Sequence, residues 1–513
     1  MTAQERTSTR RRGRRGQGVA KARPARPAYH TVRNTLPHPE VFSADAVADI
    51  HATALRVLEE LGIRVLNDEA RDILVAAGCD LRDDMMVHFP RDLVSDHVAR
   101  APREMVWHGG DGYRVEFDMR SLHFMAGGGC PNITDIDRGR RPGTLADFVD
   151  LTRLQAHFDS LPALSPSIEP QDVAVNERHL ETMRIQLETT GKIPWIFARG
   201  RGQVEDCFAM IRIARGLDEA AFKERIWTYT IINTNSPRQI DIPMAQGIMD
   251  FARSGQVSII TPFCLSGAMA PITEAGSLTL SHAEALAGIT LAQVTNPGAP
   301  VMYGAFSSNV DMRSGAPVFG TPEHIRTNFG AGQLARHIGI PWRSATGTAA
   351  NAPDFQSATE TQLGLWGAVL GGANLISHAA GWLEGGLTIS YEKLVMDLEA
   401  CQTIAAAMQP VEATPEAIGF ETIAEVAPGG HFFATEQTMA RYADQFYTPL
   451  ISDWRNFGQW QEAGAVETVE RAQAHWRGIL DGFVPEGLAE DRQATLTAFI
   501  ERRCAEGGAH PVD

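Results

Sequence analysis

Carboxylates and aromatic side chains recur in the middle of the chain, within short apolar runs or in the loops that follow them. The acidic residues at these positions are Glu169, Asp172, Asp311, Asp354 and Glu384. The aromatic residues are Tyr229, Phe263, Tyr303, Phe306, Phe355, Trp382 and Tyr391. Aromatic faces and a few acids, with little basic charge beside them, suit an organic cation such as a quaternary ammonium. The pattern therefore indicates a binding site for a small cation.

Each of these residues also has an ordinary structural explanation. Aromatic side chains on barrel strands commonly fill the core, and Tyr229 and Phe263 in particular could point into a packed interior. Glu169 and Asp172 could equally cap a helix or form a salt bridge. Glu384 lies among glycines, so it is the acid least expected to serve packing alone.

Familiar catalytic motifs are absent from the sequence. It contains no GxSxG, no HExxH and no EF-hand loop. Lysines are few and none follows an apolar run, which argues against Schiff-base chemistry. The six cysteines are scattered, without a CxxC pair or a Cys/His cluster at metal-site spacing. We therefore expect no protein-bound metal, and free thiols favour a cytoplasmic location.

Apolar runs and amphipathic segments alternate through the middle of the chain. The runs predict strands at 123–126, 163–168, 194–198, 226–232, 257–262, 301–306, 341–345 and 374–379. The amphipathic segments predict helices at 145–158, 173–189, 203–215, 243–252, 274–294, 322–338, 356–370 and 391–408. Eight such units are typical of an α/β fold of the closed (β/α)8 TIM barrel type, whose strand-to-helix loops open on one face.

The predicted barrel, residues 123–409, is flanked by three other regions. Residues 1–40 are predicted to be a disordered basic tail, or alternatively a segment for targeting or for an anionic partner. Residues 41–122 are predicted as an N-terminal cap of helices and short strands. Residues 410–513 are predicted as a C-terminal helical subdomain that packs on the barrel or on a second subunit.

The overall charge and hydropathy narrow the class of protein. A net charge of −16 over 513 residues argues against a nucleic-acid partner. No run of about 18 consecutive apolar residues occurs, so no membrane span is expected.

Several short motifs occur together and in one order from about Val41 to Arg503. They are Gly127-Gly128-Gly129, Asp137-Arg138-Gly139-Arg140-Arg141-Pro142, Glu169-Pro170-Gln171-Asp172-Val173, Gly267-Ala268-Met269-Ala270-Pro271, Asp311-Met312-Arg313-Ser314-Gly315-Ala316-Pro317, Phe319-Gly320-Thr321-Pro322-Glu323, Ser390-Tyr391-Glu392-Lys393 and Gly429-Gly430-His431-Phe432. In these motifs the chain resembles the trimethylamine methyltransferase family of corrinoid-dependent methyltransferases. The resemblance implies a TIM barrel that presents a methylated amine to cobalt(I) of cobalamin, carried by a separate corrinoid protein.

One position departs from the archaeal members of that family, which carry pyrrolysine in the barrel mouth. The corresponding residue here is Asn351, and the sequence contains only standard residues. The chain thus resembles the pyrrolysine-free branch, whose known members are similar to glycine betaine methyltransferase. A quaternary ammonium already carries its charge and leaves as a neutral amine, so a glycine betaine-like quaternary amine is the expected methyl donor.

Residue types and the resemblance together suggest roles for individual positions. Asn351 and Glu384 are predicted to be catalytic. Substrate contacts are predicted for Glu169, Tyr229, Phe263, Tyr303, Phe306, Asp311, Phe355, His378, Trp382 and Tyr391. If the substrate carries a carboxylate, the candidates to receive it are Arg199, Arg201, Arg313, Arg343 and His378. A low rim for the corrin ring, or else turns that need positive φ, would explain Gly127, Gly128, Gly129, Gly267 and Gly385.

Two other functions stay open at this level. The chain could be a methyltransferase of the same family with a different methyl donor or acceptor. It could also be a catalytically inactive protein that binds or senses a quaternary amine. The long C-terminal helices lead us to expect a homo-oligomer in each case.

Overall fold

The computed structural model describes residues 32–512, and a parallel sheet lies at its centre. The short antiparallel strand Val32–Arg33, within the segment predicted as a tail, pairs with one edge of this sheet. The remainder of that predicted tail, up to residue 31, lies outside the described residues. In spatial order the six parallel strands are Ser121–Ala126, Leu375–Ala380, Trp342–Ala345, Val301–Gly304, Val257–Ile260 and Tyr229–Ile232.

Two of the predicted strands, 163–168 and 194–198, form isolated bridges instead of a regular ladder. Pro166 and Pro194 lie within these segments, and proline has no N–H to donate to a ladder. The α/β class is confirmed. A continuous ladder of eight strands, however, is not observed within residues 32–512.

Helices lie outside the sheet, close to the positions that the alternation predicts. Thr144 and Asp354 begin two of them with reciprocal capping boxes. Gly216 and Gly339 end two others in the left-handed conformation. The eight helices are Leu145–His157, Arg178–Thr189, Arg201–Arg215, Ile242–Arg253, Glu274–Thr295, Pro322–Ile338, Phe355–Gly371 and Tyr391–Ala407.

Short strands reinforce the loops at the carboxyl-terminal end of the parallel sheet, which we call the mouth. One small sheet consists of Phe263–Ser266, Phe306–Val310 and Pro317–Val318. A second consists of Trp382–Leu383, Thr388–Ser390, Asn132–Thr134 and Arg141–Pro142. Because these loops are paired to one another, the side chains at the mouth are held on a rigid frame.

The region before the sheet closes its amino-terminal end. The hairpin Met105–His108 and Arg114–Phe117 places Trp107 against Tyr229, with ring centroids 4.8 Å apart. Trp107 also joins Met302 in one buried apolar cluster, so the hairpin fills the interior from below. The other elements of this region are the helices Ala44–Arg56, Asp68–Ala76 and Arg91–Val98 and the strands Ile63–Val65, Asp80–Arg82 and Met86–His88.

The C-terminal region has two parts with different packing. Helices Thr468–Gly482 and Glu490–Ala505 pack on the body, and Trp476 stacks on Tyr391 at 4.6 Å. The preceding segment, residues 411–457, is mostly exposed, and we call it the exposed arm. Its three helices, Pro415–Ile418, Phe420–Glu425 and Glu436–Arg441, contain no buried residue.

None of the helices described between residues 32 and 512 is both long enough and apolar enough to cross a bilayer.

Buried His123 makes the stability of this fold depend on pH. Its Nε2 lies 2.9 Å from the Glu116 carbonyl oxygen, and burial lowers its pKa from 6.5 to about 4. The unfolded chain therefore takes up this proton first, so stability is full above pH 6.5 and is lost as the pH falls towards 4. When the pH is lowered from 7 to 5, the free energy of unfolding should fall by about 2 kcal/mol less in His123→Gln than in the unmodified protein.

Urea titrations at several pH values would measure this difference. His431→Gln, at an exposed position of the arm, is the control and should follow the unmodified protein. If His123→Gln also followed the unmodified protein, the ring would not be held neutral by the fold.

Candidate active site

Five aromatic rings meet at the mouth. Trp382 stacks on His378, with centroids 4.0 Å apart and planes inclined by 6°. Phe306 stacks on Phe319 at 5.7 Å and on Phe263 at 4.9 Å. The two groups touch, since Trp382 lies 5.7 Å from Phe319 and 6.4 Å from Phe306. We call these five residues the aromatic cluster.

Arg343, on the strand Trp342–Ala345, lies directly behind this cluster and is 2% exposed. Its Nε donates to Ser377 Oγ at 2.8 Å, and its guanidinium lies 5.8 Å from the centroid of Phe306. No carboxylate among residues 32–512 forms an ion pair with Arg343. Burial lowers its pKa to about 9, so the guanidinium still carries its charge at neutral pH. Arg343 is therefore a buried positive charge that no carboxylate of the described residues neutralises.

The other arginines predicted to receive a carboxylate are placed differently. Arg199 pairs with Glu169, and Arg201 pairs with Asp250. Arg313 is exposed on a loop at the mouth. Of the four arginines, Arg343 alone combines burial with the lack of an acidic partner in the described part of the chain.

His378 lies beside Arg343 and receives more N–H donors than it can accept. The Gly128 N–H donates to Nδ1 at 3.3 Å, and Nη2 of Arg343 lies 3.2 Å from Nε2. Burial and the charge of Arg343 hold the pKa of His378 well below its usual value, so the ring is neutral. A neutral imidazole has only one accepting nitrogen, so one N–H is left over, and an anionic oxygen is the group that would take it.

Glycines shape the pocket for Trp382. A Cβ added to Gly127, Gly347 or Gly386 would lie 2.8, 2.5 or 2.2 Å from an atom of the indole. Real Cβ atoms do not approach that closely, so the indole occupies this position only because these residues have no side chain. At Gly128 a Cβ would instead meet Trp195, at 2.7 Å.

The two predicted catalytic residues lie at the rim of the mouth. Glu384 is 15% exposed and pairs with Nε of Arg140 at 2.9 Å. Asn351 is exposed on the loop before the helix Phe355–Gly371. Neither residue has a described hydrogen bond or ion pair with Arg343.

Three of the predicted substrate contacts are also at or near the rim. Glu169 pairs with Arg178 at 2.8 Å and with Arg199. Asp311 accepts hydrogen bonds from Ser314 of its own loop. Phe355 is 85% exposed at the start of its helix.

Three predicted tyrosines use their hydroxyl groups inside the fold. Tyr229 donates to the Leu164 carbonyl oxygen at 2.6 Å. The Tyr303 hydroxyl lies 3.0 Å from His282 Nδ1, in the outer helical layer. Tyr391 donates to Asp147 Oδ1 at 3.0 Å and stacks on a C-terminal helix. These three tyrosines therefore lie outside the candidate site.

The remaining rim glycines adopt the backbone conformation that favours glycine. Gly129, Gly267 and Gly385 have φ values of 76°, 91° and 62°. A Cβ at Gly129 or Gly385 would have ordinary space around it. Turn geometry explains these three glycines, whereas contact with an indole explains Gly127 and Gly128.

Sequence reasoning did not select Phe319 and Trp195 as site residues. Phe319 is part of one of the motifs that carry the family resemblance, next to Gly320, but its apolar side chain suggested only a packing role. Trp195 follows Pro194 in a predicted strand. The alternation of a strand could have marked it as facing inward, had the register been known.

An α/β protein with a buried arginine and an aromatic cluster at the carboxyl-terminal mouth of its sheet has the architecture of an enzyme that binds a small molecule. The family model of trimethylamine methyltransferase (MTTB) matches residues 8–508, and the chain belongs to this family. It is accordingly a methyltransferase, as the sequence predicted.

The chain is similar to curated members of this family. It is 33% identical over 476 residues to a glycine betaine methyltransferase of Desulfitobacterium hafniense (strain Y51), covering 92% of this chain and 99% of that protein. It is 29% identical over 477 residues to trimethylamine methyltransferase MttB of Desulfitobacterium hafniense (strain DSM 10664 / DCB-2), covering 91% and 94%. The monomethylamine methyltransferase structure of Methanosarcina barkeri aligns with a TM-score of 0.46 at 11% identity, covering 90% and 92%.

The contact between Gly386 and Trp382 can be tested with matched alanine variants. Gly386 and Gly298 both have positive φ, at 102° and 84°, but only Gly386 faces the indole, and nothing lies within 4 Å of a Cβ at Gly298. The backbone strain is therefore similar, and the clash is specific to one site. We expect Gly386→Ala to lower the free energy of unfolding by about 1–3 kcal/mol more than Gly298→Ala, and to lower methyl transfer. Equal effects in both variants would mean that the indole is free to move.

Proposed function

We propose that this chain moves a methyl group from a quaternary amine that carries a carboxylate, as glycine betaine does, to cobalt(I) of a separate corrinoid protein. The observation that carries this proposal is Arg343, a buried guanidinium without an acidic partner in the described residues. A substrate carboxylate would supply the missing charge and accept the surplus N–H between Arg343 and His378. The glycine betaine methyltransferase among the relatives supports the same class of substrate.

The cationic end of the substrate would lie against the aromatic cluster, nearer to the mouth. Aromatic faces attract an ammonium group by about 0.5–2 kcal/mol without neutralising it. With the carboxylate at Arg343, the ammonium and its methyl groups would point towards the partner. The chain's own residues then orient one methyl group outward and exclude water from it.

The corrinoid supplies the nucleophile when it is bound. The bond between carbon and nitrogen breaks, its electron pair stays on nitrogen, and a neutral tertiary amine is released. No proton is moved in this step, so the chain needs no general acid or base. This agrees with a site whose ionisable groups, Arg343 and His378, are placed for binding.

Two of the acids at the mouth are neutralised by arginines, which also fits this reaction. Glu384 pairs with Arg140, and Glu169 pairs with Arg178 and Arg199. The positive charge on nitrogen disappears during transfer, so a bare carboxylate beside it would stabilise the substrate more than the transition state. Weak attraction by aromatic faces avoids that loss.

The rim of the mouth has the surface expected for docking the corrinoid protein. Large apolar side chains that are 46% to 85% exposed occur on loops around it: Ile136, Val175, Ile272, Met312, Phe355 and Leu387. Exposed apolar residues grouped on one face mark sites of protein interaction. A partner seated on this face would bring its cofactor above the aromatic cluster, so the rim fits a cofactor carried by that partner.

We infer that the sheet closes into a (β/α)8 barrel through its two irregular segments. Trp195 bridges to Tyr229 at one edge, and Ala163 bridges to Ile193. At the other edge, the Gly129 N–H donates to the Pro166 carbonyl oxygen at 2.9 Å. These contacts support a ring in which prolines interrupt two of the eight strands.

The test of function combines methyl transfer with substrate binding. Purified protein, reduced cobalamin and glycine betaine should yield dimethylglycine, measured by NMR. Arg343→Gln should weaken the binding of glycine betaine about 10- to 100-fold, because a charged hydrogen bond contributes about 1.5–3 kcal/mol. The binding of choline, which has no carboxylate, should change little.

Arg313→Gln at the exposed rim is the control and should bind glycine betaine as the unmodified protein does. Binding of glycine betaine without any product would favour the alternative of an inactive binding protein. Equal loss of choline and glycine betaine in Arg343→Gln would show that Arg343 does not receive the carboxylate.

We propose further that the exposed arm packs on a second copy of this chain. Val411, Phe420, Phe433, Phe446 and Phe457 are between 71% and 91% exposed. Helices of four to six residues do not hold together alone, and those of the arm contain no buried residue. The corrinoid protein must leave after each transfer, so a permanent partner is needed, and a second copy supplies one.

Replacing Phe433 and Phe446 by Ser should shift the protein from oligomer to monomer in sedimentation velocity. Phe355→Ser is the matched control, because Phe355 is as exposed as Phe446 but lies at the rim. This control should leave the oligomer intact. A monomeric unmodified protein, or an oligomer that survives the double replacement, would contradict the proposal.

A further inference from the structure

A second cavity lies beside the candidate active site, between the irregular segments 163–168 and 193–199. Its volume is about 70 Å³, and its lining includes Pro166 and Ile168 from one segment and Trp195 and Phe197 from the other. Helices Arg178–Thr189 and Arg201–Arg215 cover it from outside. A buried water needs roughly 10–15 Å³ of such volume, so the cavity has room for a molecule of several heavy atoms.

Three side chains of the lining carry a buried nitrogen atom that has no hydrogen-bond partner among the described residues. These atoms are Arg178 Nε, His179 Nδ1 and Trp195 Nε1. Trp195 is 6% exposed and His179 is 9% exposed. An unpaired buried donor costs about 1–3 kcal/mol, so a molecule that accepts from Arg178 Nε and Trp195 Nε1 would be stabilised in the cavity.

His179 is held in place from its other side. Its Nε2 lies 3.0 Å from Asp206 Oδ2, and Nε of Arg503 donates to Asp206 Oδ1 at 2.7 Å. The Asp206 carboxylate therefore fixes the imidazole ring of His179, which lines the cavity. With the Nε2 proton donated to Asp206, an Nδ1 that carries no proton can only accept a hydrogen bond, so the donors available to a carboxylate are those of Arg178 and Trp195.

The charges of the lining favour an anion. Two arginines, Arg178 and Arg199, share the single carboxylate of Glu169. No other acidic residue lines the cavity within residues 32–512. The remaining wall is largely apolar, with Ile168, Met183 and Phe197. A small carboxylate with an apolar body matches both the surplus positive charge and this wall.

Trp195 separates this cavity from the aromatic cluster. A Cβ at Gly128 would meet its ring at 2.7 Å, and the Gly128 N–H donates to His378. We propose that the cavity is a second binding site for a small carboxylate with an apolar body, the class to which the demethylated amino acid product belongs. The link to the product depends on the proposed function, whereas the preference for a carboxylate depends on the lining alone.

Such a site would give the product a place beside the reaction centre while the partner covers the mouth. The segment 507–512 forms part of the cavity's outer edge. Pro511 lines the cavity, and the Val512 N–H donates to the Arg199 carbonyl oxygen at 2.9 Å. The outer edge of the cavity is thus made by this segment and by the loop that carries Glu169 and Val175 at the rim.

Calorimetric titration with N,N-dimethylglycine tests the proposal by stoichiometry. The unmodified protein should bind two equivalents. Arg343→Met should lose the equivalent at the active site, Arg178→Gln should lose the equivalent in the cavity, and the double variant should bind none. Arg184→Gln is the matched control, because Arg184 is on the same helix but pairs with Glu181 and Glu188 outside the cavity. The control should bind two equivalents, and trimethylamine, which lacks a carboxylate, should not occupy the second site.

The outcomes separate the second site from the proposed function. If Arg343→Met binds as the unmodified protein does while Arg178→Gln loses one equivalent, the second site stands and the proposed role of Arg343 fails. One equivalent in the unmodified protein and none in Arg343→Met would overturn the second site and leave only water there. If Arg178→Gln does not fold, Thr182→Leu fills the cavity from the same helix and should remove the same equivalent.

Discussion

The unneutralised charge of Arg343 is the constraint on which the site depends. Burial disfavours a charged guanidinium, yet its pKa falls only to about 9, so it stays protonated at neutral pH. Ser377 Oγ, at 2.8 Å, and the face of Phe306 recover only part of the lost hydration. A charge in this state costs several kcal/mol unless an anion joins it. In the proposed complex the substrate carboxylate would be that anion, and its position would decide which end of the substrate faces the mouth.

The position of Trp382 is the second constraint, and it explains why so many glycines stand at the mouth. The indole is enclosed by Gly127, Gly347 and Gly386, which come from three different strand-to-helix loops. It stacks on His378, which is itself held in a left-handed backbone conformation with φ 55°. The loops therefore meet on the flat faces of one ring. A shift of any of these three loops would therefore move His378 and change the surroundings of the surplus N–H beside Arg343.

Local signals made much of the fold predictable, and the site depends on contacts that are not local. Helix positions followed from apolar spacing and from caps such as Thr144 and Asp354. Composition predicts strands at 163–168 and 194–198, whereas their pairing also depends on Pro166 and Pro194, which have no N–H to donate. Tyr303 and Phe306 are three residues apart, yet one faces the outer helices and the other the mouth. Without the register, residue type could not separate them. Likewise, the pairing of Glu384 with Arg140 joins residues far apart in the sequence.

The distribution of charge in the site follows from what changes during methyl transfer. In the proposed complex a carboxylate at Arg343 would keep its charge throughout, so that contact would hold the substrate equally in the ground state and in the transition state. It therefore raises occupancy and fixes orientation at the end of the molecule that does not react. The ammonium loses its charge, so any strong contact there would have to be broken as the methyl group leaves. Pairing Glu384 and Glu169 with arginines removes the two acids most able to make such a contact. In the proposed complex affinity would thus be concentrated on the unreactive end of the substrate, and aromatic faces would hold the reacting end.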